Sequence, residues 1–541
     1  MTGFASLHDL PRTSHLYQDY VYRYPKVGEF FNGNFRDPKA FQRLTEEVMS
    51  RPLPREELVT ILREQNQRFG CGSETLRNIE TLARNDGCAV VTGQQVGLFS
   101  GPLYTIYKSL TAIKLSEYLN QCCPGCFVPV FWLASDDHDF AEIDHVDLLT
   151  QNNEIEKVLC PAGPSLRKLP ASKILLLPEI RDCIRHLQEL THDSEFKQDI
   201  LARLGEAYKP GRSFADAFAI WMTYLFKSYG LIFIDAAHEG LKNLGKNVFH
   251  CEIAGDSPST RTALEASNRL YTAGYDTQIP LHEDVLNLFF AEEERRTIQV
   301  KGSGFALKEP YREYKKGDLL DILEQSPHAF SPNVLLRPLY QDALLPTVAY
   351  VGGPSEIAYF AQMKGVYASF ELPMPVIYPR KSVTLLERKI GKLCDSFGLR
   401  IQDIWVRGDR IISDTVRKQI PDAILKGIQN AADNLKKNFD MLMQDLVDLD
   451  PTLEKSAMSS FGKAERQLKL LEAKVLQALK KRNSVVTRQL HKVKNSLYPK
   501  DRLQERVFNI TPFLIKYGHS LIDNLNERID IGNYDHQVIR F

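Results

Sequence analysis

A heptad pattern of apolar residues near the C-terminal end constrains the fold more than any other feature of this sequence. Two series of apolar residues recur there at alternating steps of four and three, which is a period of about 3.5 residues and typical of a coiled coil. The series are Ile428, Ala432, Leu435, Phe439, Leu442, Leu446, Leu449 and Leu453, then Ala457, Phe461, Ala464, Leu468, Leu471, Val475 and Ala478. Pro451 lies between them, so we predict an antiparallel helical hairpin inside a coiled-coil arm at residues 384–500. The alternative is two amphipathic helices packed on the core.

Short β-branched runs alternate with helical patterns in the preceding part of the chain. The runs lie at residues 88–92, 128–134, 231–235 and 374–378, and helical spacing is found at 103–119 and 214–229. This alternation predicts an α/β fold with a parallel sheet, and the prolines of the last run favour a sheet edge or a strand start. The long gaps between runs predict subdomains inserted at about 152–203 and 251–326, within a core spanning 1–383. We expect residues 501–541 to pack back on that core.

Charge and cysteine usage exclude several classes of function. Lys+Arg and Asp+Glu both number 68, so the chain has no bulk attraction to nucleic acid or to an anionic membrane, and we expect neither as a partner. We find no signal peptide and no apolar run of about 18 residues that could span a membrane. Nine cysteines at irregular spacing predict a reducing, cytoplasmic location. Cys123 and Cys126 have the spacing of a redox dithiol, but we expect a solvent-facing loop at the sheet end opposite the site.

The stretch TGQQVGLFSGPLYTIYK at residues 92–108 connects a predicted strand to a predicted helix. Gly93, Gly97 and Gly101 in such a loop would expose backbone N–H groups at a helix N-terminus, which suits a phosphate or a carboxylate. Lys108 would add a positive charge, so we predict a nucleotide or anion site formed by these four residues. The side-chain amides of Gln94 and Gln95 can donate and accept, and we assign them to substrate. The alternative is a tight strand-to-helix turn.

The acidic stretch ASDDHDFAEIDH at residues 134–145 directly follows a predicted buried strand. Ligand sites in open α/β sheets lie at the carboxyl ends of strands, so we predict Asp137 and His138 as catalytic residues. We expect Asp139 and Asp144 to face water. No metal is predicted, because the spacing matches no trusted ligand motif.

A third stretch, residues 331–360, contains an arginine in an apolar setting and a glycine-rich turn into a helix. Arg337 could bind a dicarboxylate through its planar fork, or could form a structural salt bridge with Asp342 or Glu356. We predict Arg337 and Glu356 as substrate-binding residues.

These stretches together resemble the bacillithiol synthase family over nearly the whole chain. The resemblance rests on VTGQQ at 91–95, on the Asp-His-Asp cluster after a Phe-Trp strand, on YPKVGEFF at 24–31 and on LQERV at 503–507. It implies a Rossmann-like core with inserted connecting segments, similar to class I aminoacyl-tRNA synthetases, and a coiled coil that mediates homodimerisation.

The resemblance also implies a reaction, the addition of cysteine to the amine of glucosaminyl malate. The His-Ile-Gly-His and Lys-Met-Ser-Lys-Ser motifs of the synthetases are absent from the sequence, and the resemblance allows ATP or ADP as the nucleotide. In this hypothesis His138 transfers the proton, Asp137 orients it or holds the ammonium group, and Arg337 takes the malate carboxylates. Two alternatives are a coiled-coil dimer that binds a nucleotide without catalysis and a metal-dependent hydrolase built on the cluster at 136–145.

Overall fold

The computed structural model describes residues 3–137, 139–160, 169–291, 295–302, 304–308, 311–417, 422–482 and 484–541. The chain divides into two compact units. The first comprises Met1–Leu385 and Gln504–Ile539, and the second Leu386–Leu503 with Arg540–Phe541. The first unit is therefore built from two segments of chain that the second unit separates in sequence.

A five-stranded parallel sheet forms the centre of the first unit. Its strands, in spatial order, are β13 (Val376–Pro379), β12 (Thr347–Gly352), β2 (Gly87–Gln94), β3 (Cys126–Leu133) and β6 (Ile232–Asp235). β2 and β3 are buried along almost their whole length, as expected for a parallel sheet covered on both faces. The sheet confirms the predicted α/β class, with the proline-containing strand at an edge. β12 was not predicted as a strand.

Helices before, between and after these strands complete the first unit. They are α1 (His15–Tyr22), α2 (Pro38–Met49), α3 (Arg55–Arg68), α4 (Ser73–Ala83), α5 (Tyr104–Cys122), α6 (Phe140–Ile143), α7 (Ile180–Leu190), α8 (Lys197–Ala207), α9 (Phe214–Phe226), α10 (Glu239–Leu244), α11 (Lys246–Ala254), α12 (Pro258–Thr272), α13 (Lys316–Gln325), α14 (Arg337–Leu344), α15 (Pro354–Phe360), α16 (Lys364–Ser369), α23 (Thr511–Tyr517) and α24 (Ser520–Arg528). α5 joins β2 to β3 and packs on both strands. Ser213 caps α9, and Gly230, at φ 65°, turns the chain into β6.

Residues that lie between or outside these strands in the sequence form smaller, separate sheets. β4 (His145–Leu149) and β5 (Ile155–Leu159) form an antiparallel hairpin after β3. The chain between β6 and β12 forms an antiparallel sheet. Its strands, in spatial order, are β10 (Tyr311–Lys315), β9 (Gly304–Lys308), β8 (Arg296–Lys301), β7 (Val285–Phe290) and β11 (Phe330–Pro332). A third sheet joins the two ends of the chain, in the order β1 (Gly3–Ala5), β15 (His536–Arg540) and β14 (Val383–Leu386).

The second unit is helical and confirms the predicted coiled coil. Its helices are α17 (Arg388–Phe397), α18 (Ile401–Arg407), α19 (Arg410–Arg417), α20 (Asp422–Leu449), α21 (Leu453–Arg482) and α22 (Ser484–Leu497). α20 packs on α21, and the rings of Phe439 and Phe461 lie 4.6 Å apart, at nearly equal distances in sequence from Pro451. This pairing requires an antiparallel hairpin.

The hairpin does not bury every residue of the predicted seam. Leu442 is 52% exposed and Leu449 is 77% exposed. Two helices cover only one side of each other, so seam residues that point away from the partner helix stay accessible.

None of the described helices combines the length and the apolar composition that a membrane span requires.

Candidate functional site

A cavity of about 630 Å³ lies at the carboxyl ends of the central strands. Each of the five strands contributes a residue at or just beyond its end, namely Gly93, Trp132, Ala236, Gly353 and Arg380. The volume falls within the range of roughly 300–1,000 Å³ that is usual for small-molecule sites. Its position is also the one expected for a ligand site in an open α/β sheet.

Most of the predicted site residues meet at this cavity. Those that line it are Gly93, Gln94, Gln95, Lys108, Asp137, Arg337 and Glu356. His138 lies outside the described residues. Gly97 and Gly101 are described but do not line the cavity.

Gly97 and Gly101 serve the turn between β2 and α5. A Cβ on Gly97 would lie 2.9 Å from the Cα of Gly101, and Gly101 has a φ of 67°, which disfavours other residues. The Asn509 side chain donates to the carbonyl oxygens of Phe99, at 2.8 Å, and of Gly101, at 2.6 Å. The structure therefore does not bring these two glycines to the predicted anion site.

The backbone at the start of α5 is also engaged within the protein. The N–H of Leu103 donates to the carbonyl of Phe508 at 2.8 Å, and that of Thr105 donates to Pro102 at 2.9 Å. The predicted alternative, a tight strand-to-helix turn, describes this part of the loop.

Lys108 and Glu356, which we predicted separately as ligand-binding residues, form a buried ion pair. Lys108 Nζ lies 2.6 Å from Glu356 Oε2, 2.6 Å from the Gly93 carbonyl and 3.1 Å from Gln94 Oε1. Burial lowers the pKa of Lys108, while Glu356 raises it. The three N–H donors of the ammonium thus have three protein partners, so Lys108 holds the end of β2 in place.

The second half of this pair is equally engaged. Glu356 Oε1 accepts from the Tyr350 hydroxyl at 2.6 Å, and Oε2 accepts from the Gly353 N–H at 2.8 Å. Burial raises the pKa of Glu356, but Lys108 and these hydrogen bonds outweigh it and keep the pKa below its ordinary value. Glu356 therefore anchors the first turn of α15 beside the cavity.

Arg337 is held at the cavity wall by neutral groups. Its guanidinium donates to the Tyr359 hydroxyl at 2.8 Å, to the Tyr350 hydroxyl at 3.4 Å and to Gln341 Oε1 at 3.3 Å. Burial lowers the pKa of Arg337, but the surrounding tyrosines and Glu356 outweigh it, so the group stays charged.

The predicted salt-bridge alternative for Arg337 is wrong. Asp342 accepts instead from the Tyr367 hydroxyl at 2.5 Å and from Gln341 Nε2 at 2.8 Å. Among the described residues, no carboxylate lies within 4.0 Å of the Arg337 guanidinium. A substrate carboxylate could therefore bind it.

The acidic stretch after β3 presents Asp137 to the cavity on fixed partners. Gln95 Nε2 donates to Asp137 Oδ2 at 2.7 Å and to Glu142 Oε2 at 2.9 Å. Arg295 Nη1 lies 3.5 Å from Asp137 Oδ1. An oriented carboxylate of this kind can bind an ammonium group or assist a proton transfer.

The neighbouring acids of this stretch have different environments. Asp136 pairs with the buried Lys242. Asp139 is exposed before α6, as predicted, but the prediction for Asp144 is wrong. Asp144 is 6% exposed and accepts from His145 Nδ1 at 2.8 Å, because the chain folds back into β4 directly after α6.

Three cavity arginines, Arg295, Arg380 and Arg506, were missed from the sequence. Arg295 comes from the antiparallel sheet region, where it donates to the Pro332 carbonyl at 2.6 Å and stacks 4.0 Å over the Phe289 ring. Arg380 directly follows β13, the same signal that identified Asp137 after β3. Arg506 belongs to LQERV, a stretch that carried the resemblance but received no role.

The described part of the chain contains no group of three or more His, Cys, Asp or Glu residues arranged to hold a metal ion. In the stretch at 136–145, Asp136 pairs with Lys242, Asp137 and Glu142 both accept from Gln95, and Asp144 accepts from His145.

These features define a class of protein, an α/β protein with a charged, small-molecule-sized cavity at the carboxyl ends of a parallel sheet and a helical coiled-coil unit. Two family models match the chain. The "Bacillithiol biosynthesis BshC, N-terminal Rossmann-like domain" matches residues 6–381, and the "Bacillithiol biosynthesis BshC, C-terminal coiled-coil domain" matches residues 383–541. The chain belongs to the BshC family, and its core is Rossmann-like.

Relatives match over nearly their full length. A protein of Salinibacter ruber is 35% identical over 97% of this chain and 96% of its own, and one of Chloroherpeton thalassium is 35% identical over 95% and 93%. One of Bacillus cytotoxicus is 31% identical over 96% and 97%. Each is named "Putative cysteine ligase BshC". This chain also aligns with a solved structure titled as a putative arginyl-tRNA synthetase from Campylobacter jejuni, over 89% of this chain and 98% of that one, at 10% identity and a TM-score of 0.24. A TM-score this low does not establish a shared fold.

Proposed function

We propose that this protein is a cysteine ligase of bacillithiol biosynthesis that forms an amide between cysteine and the amine of glucosaminyl malate. Membership of the BshC family and the names of the relatives support a cysteine ligase. The observation that carries the proposal is the presence of Arg337 and Asp137 in one cavity. A guanidinium without a carboxylate partner suits the malate carboxylates, and an oriented carboxylate suits the substrate ammonium.

Amide formation needs an unprotonated amine and an activated carboxylate. We assign removal of the amine proton to His138, because histidine titrates near neutral pH. Asp137, fixed by Gln95, holds and orients the amine. Positioning of this kind lowers the entropic cost of bringing the two reactants together.

The proposal includes ATP, because a free carboxylate does not acylate an amine. The cysteine carboxylate attacks the α-phosphorus of ATP, which gives a cysteinyl adenylate and releases pyrophosphate. The amine then attacks the carbonyl carbon, its proton passes to the base, and AMP leaves. Gln94 and Gly93 at the cavity are our proposed contacts to the activated group.

The test is mass spectrometry of the product formed from cysteine, ATP and glucosaminyl malate by the purified full-length protein. His138→Ala should slow ligation by about 10²–10⁴-fold, the usual effect of losing a general base, at an unchanged melting temperature. Asp139→Asn, a change at the exposed neighbouring position, is the matched control and should leave the rate unchanged. Nucleotide binding without any product would instead support the non-catalytic dimer.

We further propose that the protein is a homodimer formed through the coiled coil. The hairpin of α20 and α21 leaves Leu449 at 77% and Met458 at 56% exposure on either side of its turn. A second copy could bury this apolar surface in a symmetric interface.

Light scattering of the full-length chain tests the dimer. Leu449→Glu combined with Met458→Glu should give a monomer, because each change places a charge in the apolar interface. Gln444→Glu combined with Gln467→Glu adds the same charge at exposed polar positions of the same helices and should leave a dimer. A monomeric wild-type protein would contradict the proposal.

A further inference from the structure

The stretch LQERV of the C-terminal segment is fixed against the core of the first unit by buried polar side chains. Gln504 exchanges two hydrogen bonds with the backbone of Leu385, at 2.8 and 3.0 Å. Asn509 holds the loop that contains Gly101. Gln504, Glu505 and Asn509 are each 1% exposed. Backbone groups are therefore fixed on both sides of Arg506.

Glu505 is the strongest of these anchors. Its two carboxylate oxygens accept from the Arg380 guanidinium at 2.9 and 2.7 Å, from the Val383 N–H at 2.9 Å and from the Ser382 hydroxyl at 2.9 Å. Burial raises the pKa of Glu505, but Arg380 outweighs it and holds the pKa at about 2. The positive charge of Arg380 in the cavity wall is thus neutralised within the protein.

Arg506 follows directly and lines the same cavity, where its side chain is exposed. No carboxylate among the described residues lies within 4.0 Å of its guanidinium. The anchors on either side hold its backbone in place, so binding a ligand would require ordering of the side chain alone. A preorganised backbone of this kind lowers the cost of binding.

Two of the five positively charged side chains that line the cavity differ from the other three in having no acidic partner within the described ranges. Lys108 pairs with Glu356, Arg380 with Glu505, and Arg295 lies near Asp137. Arg337 and Arg506 have no such acidic partner among the described residues. We infer that these two arginines form a subsite for a dicarboxylate, with one guanidinium for each carboxylate.

The inference rests on the proposed function, since it assigns this subsite to the malate half of the substrate. It makes Arg506 the residue that distinguishes a dicarboxylate from a monocarboxylate. A phosphate is the other anion that two arginines could bind. We favour a dicarboxylate for two reasons. The planar guanidinium groups of arginine match the geometry of carboxylates. A phosphate would also use free backbone N–H groups at a helix N-terminus, but the N–H of Leu103, near the start of α5, already donates to the Phe508 carbonyl.

Calorimetric titration of the full-length protein with L-malate, L-lactate and pyrophosphate tests the subsite. L-Lactate keeps the 2-hydroxy acid of malate but lacks the second carboxylate. Wild-type protein should bind malate more tightly than lactate. Arg506→Gln should weaken malate binding by about tenfold to a hundredfold, the usual effect of losing a charged hydrogen-bonded contact, and leave lactate binding nearly unchanged.

Two matched variants separate binding from structure. Arg502→Gln removes an exposed arginine four residues earlier that does not line the cavity, and malate affinity should not change. Arg506→Lys keeps the charge and should restore part of the affinity. All variants should melt at the wild-type temperature.

Three outcomes would overturn the inference. They are malate affinity that is unchanged in Arg506→Gln, wild-type protein that does not prefer malate to lactate, and an Arg506-dependent preference for pyrophosphate over malate. The titration needs no cysteine, ATP or turnover. Loss of the subsite is therefore distinguishable from failure of the ligase proposal, in which malate would bind normally and no product would form.

Discussion

Replacing Glu505 with glutamine should destabilise the first unit by about 3–5 kcal/mol, the usual cost of breaking a buried ion pair. Glutamine keeps the size of the side chain but turns one acceptor into a donor, so Arg380 stays buried without a counter-charge. The pKa gives a second route to the magnitude. A shift from the ordinary value of 4.5 to about 2 corresponds to about 3 kcal/mol.

Urea unfolding followed by tryptophan fluorescence at pH 7 measures this loss. Two of the three tryptophans, Trp132 and Trp221, lie in the first unit. Glu46→Gln makes the same chemical change at an exposed site and should shift the free energy of unfolding by no more than about 0.5 kcal/mol.

The pH dependence has a defined sign. Because the folded pKa of Glu505 is depressed, its stabilisation is complete above pH 4.5 and is lost as the pH falls from 4.5 toward 2. The gap between wild type and Glu505→Gln should narrow over that interval. The paired change of Arg380→Met with Glu505→Leu should cost less than Glu505→Gln alone, because it removes both charges. A loss below about 1 kcal/mol in the single variant would refute the reasoning.

Three further predictions concern other parts of the first unit. His536 is buried between the hydroxyls of Ser382 and Thr384, and burial lowers its pKa to about 4. The free energy of unfolding of the wild type should therefore fall by about 1.5 kcal/mol between pH 6.5 and 5 because of this group. In urea titrations, His536→Asn should lack that part of the pH dependence. Gly93→Ala would place a Cβ 2.9 Å from the Trp132 carbonyl oxygen and should lower the free energy of unfolding by about 1–3 kcal/mol in the same assay. An unchanged urea midpoint would show that β2 and β3 can separate enough to accept the methyl group. Gln95→Ala frees Asp137 on one side and should lower the ligation rate about tenfold at an unchanged melting temperature, and a normal rate would remove Gln95 from the site.

The elements that were predicted correctly have periodic local patterns. The strand at 88–92 and the helix at 103–119 appear as β2 and α5 with boundaries shifted by one to three residues. β12 is buried along its whole length, and β2 and β3 along almost all of theirs, but a short apolar run of this kind cannot be told from a buried helix segment by its pattern alone. In the sequence, its residues form a short apolar run that leads into the glycine-rich turn at Gly352.

Single residues of the site could be predicted from the sequence, most directly where they follow a predicted strand. Gly93 and Asp137 each follow a predicted strand, so their location could be inferred from topology. Lys108 and Glu356 were found individually, but their ion pair depends on the packing of α5 beside α15, which no local pattern encodes. Arg506 comes from a segment beyond the coiled coil, and only the folded chain shows that it reaches the cavity.

The split of the first unit across the sequence has a consequence for synthesis on the ribosome. Residues 386–503 are translated after Arg380 and before Glu505, so the buried partner of Arg380 emerges late. At roughly 5–20 residues per second, that interval lasts about 6–24 s. A nascent chain therefore holds about nine-tenths of the first unit for many seconds without the segment Gln504–Ile539 that completes it. Until Gln504–Ile539 emerges, the incomplete core exposes apolar surface and is prone to aggregate, which is the hazard that a chaperone would have to prevent.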